Sequence, residues 1–84
     1  MKHAGFSALD RLEPLLKQIR RHTGLKEKSR GVFYLRSKSF LHFHEDPLGL
    51  FADLRVGDDF VRYPVDSKTE QDLLLKRLAK LLPH

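Results

Sequence analysis

At 84 residues, with hydrophobic side chains at 40% and charged ones at 32%, the chain has the balance of a single globular domain spanning 1–84. A domain this short buries only about 60% of the surface its unfolded chain exposes, which argues against a large enclosed active-site cavity. The formal charge of +5 is uneven, since residues 1–44 hold ten Lys/Arg against three Asp/Glu and residues 45–84 hold six against eight; the basic half favours anionic partners, and the lack of cysteine excludes disulfides, thiolate metal sites and cysteine nucleophiles.

The opening Met1-Lys2-His3-Ala4-Gly5 leads into charged sequence rather than an apolar leader. No apolar run approaches the roughly 18–20 residues that span a bilayer, so the sequence reads as cytoplasmic, with no membrane partner. Leu9, Leu12, Leu15, Leu16 and Ile19 recur at helical spacing opposite Arg11, Lys17, Arg20 and Arg21, which predicts an amphipathic helix. Asp10 and Glu13 form a capping-box pattern and Pro14 suits a first turn, so its regular part is expected to start between Asp10 and Pro14, with Gly24 as a left-handed C-cap.

Leu25 to Arg30 reads as a polar connector. Four alternating runs follow, at roughly 31–36, 39–45, 50–56 and 60–65. Ser37-Lys38, Asp46-Pro47-Leu48-Gly49 and Gly57-Asp58-Asp59 separate them, and such short connections allow only antiparallel hairpins. Ser67-Lys68-Thr69-Glu70 is a capping box for a closing helix with its stripe at Leu74, Leu75, Leu78, Leu81 and Leu82. The expected fold class is α+β: an N-terminal helix, a four-stranded antiparallel meander and a C-terminal helix, with both helices packed on one sheet face.

Register then fixes what the other face carries. If Leu41 and Phe43 point at the helices, the turn at Pro47-Leu48 sets His42 opposite Asp53, and the next turn sets Asp53 opposite Arg62 and Arg55 opposite Phe60. With Phe33 and Leu35 inward, Tyr34 falls beside His42 and Arg36 beside Phe40. Two rows result: Tyr34, His42, Asp53, Arg62, and Arg36, Phe40, Arg55, Phe60.

Three chemistries fit these rows. His42 and His44, at i and i+2 on one strand, can reach one metal ion, with Asp53 or Asp46 as a third ligand. Alternatively, Asp53 orients His42 as a general base while Tyr34, Arg55 or Arg62 holds an anionic substrate, although no nucleophile or glycine-rich phosphate loop accompanies them. The third is a binding surface in which Arg36, Arg55 and Arg62 neutralise an anionic ligand or nucleic acid and Phe40 and Phe60 stack on it, or a second copy of the chain covers the phenylalanines. His44 ranks below His42 here, its expected neighbours being Phe51 and a turn. Nothing around the basic residues forms a helix-turn-helix, and no cofactor signature is present.

The block Gly31-Val32-Phe33-Tyr34-Leu35-Arg36-Ser37-Lys38-Ser39-Phe40-Leu41-His42-Phe43-His44-Glu45-Asp46-Pro47, continuing through Phe51-Ala52-Asp53-Leu54-Arg55 to Tyr63-Pro64-Val65, resembles a group of small bacterial proteins of uncharacterised activity. The element order is similar to that of frataxin-type folds. It departs from them in its basic first helix, where frataxin-like iron binding relies on acidic residues. Taken together, the sequence predicts a small non-enzymatic binding or self-associating module acting through the open sheet face, with a metal- or anion-dependent enzyme centred on His42 and Asp53 as the alternative.

Overall fold

Ala8, Leu9, Leu12, Leu15, Leu16 and Ile19 are all buried, and the helix they define, α1, runs Phe6–Ile19. It starts earlier than expected. Gly5 is the N-cap and makes no side-chain cap bond, so Asp10 and Glu13 are not a capping box but lie within the helix. Their carboxylates turn instead to arginines that follow in the chain: Arg30 bonds Asp10 and Glu13, each at 2.9 Å, and Arg20 bonds Glu13 and reaches Glu27 at 2.6 Å. These guanidiniums hold the carboxyls of Glu13 and Glu27 below their ordinary range. Pro14 is tolerated inside α1 because the carbonyl it leaves unpaired belongs to exposed Asp10, where water can reach it. The helix closes at Arg20 in an ordinary right-handed conformation, and Gly24 is not among the positive-φ glycines.

The computed structural model describes residues 2–82. Besides α1 it contains strands β1 (Lys2–His3), β2 (Leu25–Ser29), β3 (Val32–Leu35), β4 (Lys38–Asp46), β5 (Gly49–Val56) and β6 (Asp59–Pro64), then helix α2 (Lys68–Leu81). The protein is α+β with one antiparallel sheet, but the sheet has six strands rather than four. Two were not expected. The supposed connector at Leu25 pairs with β3 as an edge strand, and Lys2-His3 pairs with β4. The strand order is β2-β3-β4-β5-β6; because β5 occupies one edge of β4, β1 and β3 share the other, β3 as far as His42 and β1 from His44.

Pairings of β4 with β5 and of β5 with β6 follow the expected register throughout, including His42↔Asp53, Asp53↔Arg62 and Arg55↔Phe60. The first hairpin differs. Its turn is Arg36-Ser37, both at positive φ (52° and 73°) as a two-residue turn of the twist-matched kind requires, and a bulge falls between Phe33↔Leu41 and Tyr34↔Ser39. Phe40 is the extra residue of that bulge. It is only 4% exposed and belongs to the core.

The core is one cluster in which Leu9, Leu12, Leu15, Leu16 and Ile19 of α1 and Leu74 and Leu78 of α2 join Phe33, Phe40, Leu41, Phe43, Leu50, Ala52 and Leu54 of the sheet. The second helix is capped as expected, Ser67 accepting from the Glu70 amide at 3.1 Å and Glu70 accepting from the Ser67 amide at 2.9 Å. Gly31, in the turn between β2 and β3, carries φ +78°, and a Cβ there would stand 2.7 Å from Leu9 Cδ2. Gly57 has a similar φ of +67° with open space around it. Gly31→Ala is therefore expected to lose roughly 2–4 kcal/mol, backbone strain plus overpacking, against about 1–2 kcal/mol for Gly57→Ala. Urea unfolding of the two variants measures the difference.

Candidate metal centre

β4 alternates, so Leu41 and Phe43 go to the core while His42 and His44 share the opposite side with Asp53 of β5. β1 then adds a residue that the sequence reading passed over. His3 pairs directly with His44, and its ring stacks on that of His44 at 4.8 Å between centroids and stands 5.9 Å from that of His42. One ligand atom from each of His3, His42 and His44 can be chosen so that all lie within 4.8 Å of one another.

The centre of the group is crowded with acceptors. His42 Nδ1 and His44 Nε2 are 2.9 Å apart, and Asp53 Oδ2 is 3.1 Å from the same His44 Nε2. A neutral imidazole carries one proton on two nitrogens, so these three atoms cannot all be satisfied by protons of the two rings in good geometry. His44 is also 9% exposed, and its Nδ1 is the one buried side-chain polar atom among the described residues with no hydrogen-bond partner. The Lys2 backbone lies near enough to favour a proton on this ring but gives Nδ1 no aligned bond.

Burial pushes the His42 imidazole below its ordinary pKa, aided by His44 and opposed by Asp53. Burial likewise lowers His44. Both rings are thereby held in the neutral form that ligates metals. Burial works against the Asp53 carboxylate, yet Arg62 outweighs it, donating Nε to Oδ1 at 2.7 Å and Nη2 to Oδ2 at 2.8 Å, and the carboxyl is held below its usual range. Phe60 closes one flank, its ring 4.9 Å from that of His42, and the Arg55 guanidinium lies 4.6 Å over Phe60.

The remaining expected site residues are placed differently. Tyr34 is not beside His42, which faces Val32; the bulge at Phe40 shifts Tyr34 opposite Ser39, with the Lys28 ammonium 4.3 Å over its ring. Arg36 sits in the turn rather than beside Phe40, because the hairpin closes one residue earlier than Ser37-Lys38 would. Asp46 spends its carboxylate on the Leu48 amide at 2.7 Å. His44, ranked low on sequence, is the most buried of the three histidines, since β1 covers it. The signal for His3 was the extended stretch ahead of α1, hidden once the regular helix was expected to begin between Asp10 and Pro14.

A histidine whose folded pKa is depressed binds fewer protons folded than unfolded between that value and about 6.5, so stability is lost as pH falls below about 6.5. His42 and His44 both act in this direction. The urea midpoint is expected to fall between pH 7.5 and pH 5, and to fall less in the His42→Gln/His44→Gln double variant. No protein-family model matches the chain, and no curated protein or solved structure matches it.

Proposed function

We propose that this chain is a metal-binding module whose open sheet face holds one divalent transition-metal ion through His3, His42 and His44. The observation that carries the reading is the convergence of three imidazoles, with candidate ligand atoms within 4.8 Å of one another. In a tetrahedral set with metal–nitrogen bonds of 2.0–2.1 Å, ligand nitrogens stand about 3.4 Å apart. His42 Nδ1 and His44 Nε2 already stand closer than that, at 2.9 Å, and the 4.8 Å within which the three candidate ligand atoms lie exceeds it by no more than about 1.4 Å. A cation among the rings would also take up the nitrogen lone pairs of His42 and His44, which share one proton across their 2.9 Å contact.

Neutral imidazoles suit zinc, nickel and copper, and three of them leave a coordination position open. The Asp53 carboxylate puts a negative charge beside the ion, and Arg62 orients it. Both helices are taken to cover the face bearing Leu41, Phe43, Ala52 and Leu54, which leaves the histidine side to the ligand. A general-base role for His42 oriented by Asp53 has less behind it, since the carboxylate contacts His44 and is engaged by Arg62 at both oxygens. Self-association also has less behind it, because Phe40 is in the core and Phe60 packs on His42 and Arg55.

Titration with zinc or nickel, followed at the histidine ring resonances, is expected to shift His3, His42 and His44 together at micromolar metal while His22 stays in place. His3→Ala should weaken binding about tenfold or more, the loss of roughly 1.4 kcal/mol or above. No response up to millimolar metal would remove the reading.

A further inference from the structure

Towards the other end of the sheet a second group of side chains meets the surroundings of the histidine site only through the Arg55–Phe60 contact. Leu35, Arg36, Lys38, Phe40, Arg55 and Leu81 line an open cavity of about 340 Å³, within the range of small-molecule sites. The β3–β4 turn supplies Arg36 and Lys38, the bulge supplies Phe40, β5 supplies Arg55 and the end of α2 supplies Leu81. Three cationic residues and no acid are among those lining this space.

The three differ from the other arginines described above. Arg20, Arg30 and Arg62 are each engaged by carboxylates, whereas no ion pair among the described residues uses Arg36, Lys38 or Arg55. Arg55 is nevertheless held in place. Its Nε donates to the Ser39 carbonyl at 2.6 Å and its guanidinium lies over Phe60, so Nη1 and Nη2 remain for a ligand with the side chain already positioned. Three like charges around one small cavity repel one another, and an oxyanion among them offsets that repulsion while taking charge-assisted hydrogen bonds. The remaining lining carries no polar side chain: Leu35, Phe40, Gly57 and Leu81, the last 39% exposed.

We infer that this cavity binds a small amphipathic oxyanion, a carboxylate or phosphate on a short apolar body, with its head on Arg36, Lys38 and Arg55 and its body on Phe40 and Leu81. The site shares no ligand residue with the histidine cluster and stands whether or not that cluster holds a metal. Bulk anions such as inorganic phosphate satisfy only half of it. The apolar floor selects for the body, and the cations select for the head.

The full chain, titrated with octanoate and followed by backbone amide spectra, tests this. Octanoate is expected to shift the amides of residues 35–40, 55–57 and 81, with inorganic phosphate binding about tenfold more weakly or less well still. Octyl phosphate identifies the head group: tighter binding than octanoate assigns a phosphate, weaker binding a carboxylate. The Arg36→Asn/Lys38→Gln variant should lose about tenfold in octanoate affinity with a urea midpoint no lower than that of the parent chain, because asparagine tolerates the positive φ of the turn and the mutual repulsion is removed. Silence at millimolar octanoate, shifts centred elsewhere, equal binding of inorganic phosphate, or full affinity in the variant would each overturn the inference.

Discussion

The pairing of β4 with β5 is the constraint on which the rest of the molecule depends. Six consecutive pairs, from Leu41↔Leu54 to Asp46↔Gly49, are closed by the Pro47-Leu48 turn. A slip of one residue would carry His42 and His44 into the core and put Leu41 and Phe43 in water. The same strand then distributes its other edge, giving the stretch up to His42 to β3 and the stretch from His44 to β1. Every histidine of the cluster is therefore located by β4, either as its own residue or as the residue paired with it.

That pairing was legible in the sequence because His42, His44, Asp53 and Arg55 alternate with Leu41, Phe43, Ala52 and Leu54, and a two-residue turn leaves one register. The second helix was legible for an equally local reason, the Ser67–Glu70 capping box. What was hidden lacked a local signature. β2 reads Leu-Lys-Glu-Lys-Ser, a composition that disfavours strands in general but suits an edge, where lysine discourages pairing with other chains. The first turn uses Arg36 and Ser37 at positive φ, where glycine or asparagine would have announced it. Phe40 is turned inward by a bulge that no alternation pattern reveals; it and Tyr34 thereby leave the expected rows, and the early turn removes Arg36, while His42↔Asp53, Asp53↔Arg62 and Arg55↔Phe60 pair as expected. His3 was missed because a two-residue strand is too short to show any period.

Charge follows the same division between paired and free groups. The basic first half turns its only three acids, Asp10, Glu13 and Glu27, on two of its ten cations, Arg20 and Arg30, tying α1 to β2 and to the turn after it. Glu27 also accepts from the Gly31 amide at 2.9 Å, so a carboxylate that looked like connector chemistry closes a turn. On the histidine side a single arginine compensates a single buried aspartate. Of the cations that no carboxylate among the described residues engages, Arg36, Lys38 and Arg55 share one cavity, while others such as Lys17, Arg21, Lys76 and Lys80 lie elsewhere on the chain.

β1 contributes only two residues to the sheet, and its hold is limited to the pairs Lys2↔Glu45 and His3↔His44, the Ala4 amide on the Phe43 carbonyl at 3.1 Å, and the Lys2–Glu45 ion pair. Such a segment opens at far lower free energy than the central strands. An ion held by His3, His42 and His44 would join that loosely held segment to the strand at the middle of the sheet, and amide exchange at Ala4 would become a clock for metal occupancy. It also makes the choice of affinity tag consequential: a polyhistidine sequence joined just ahead of Lys2 would place competing imidazoles within reach of the cluster and report on itself.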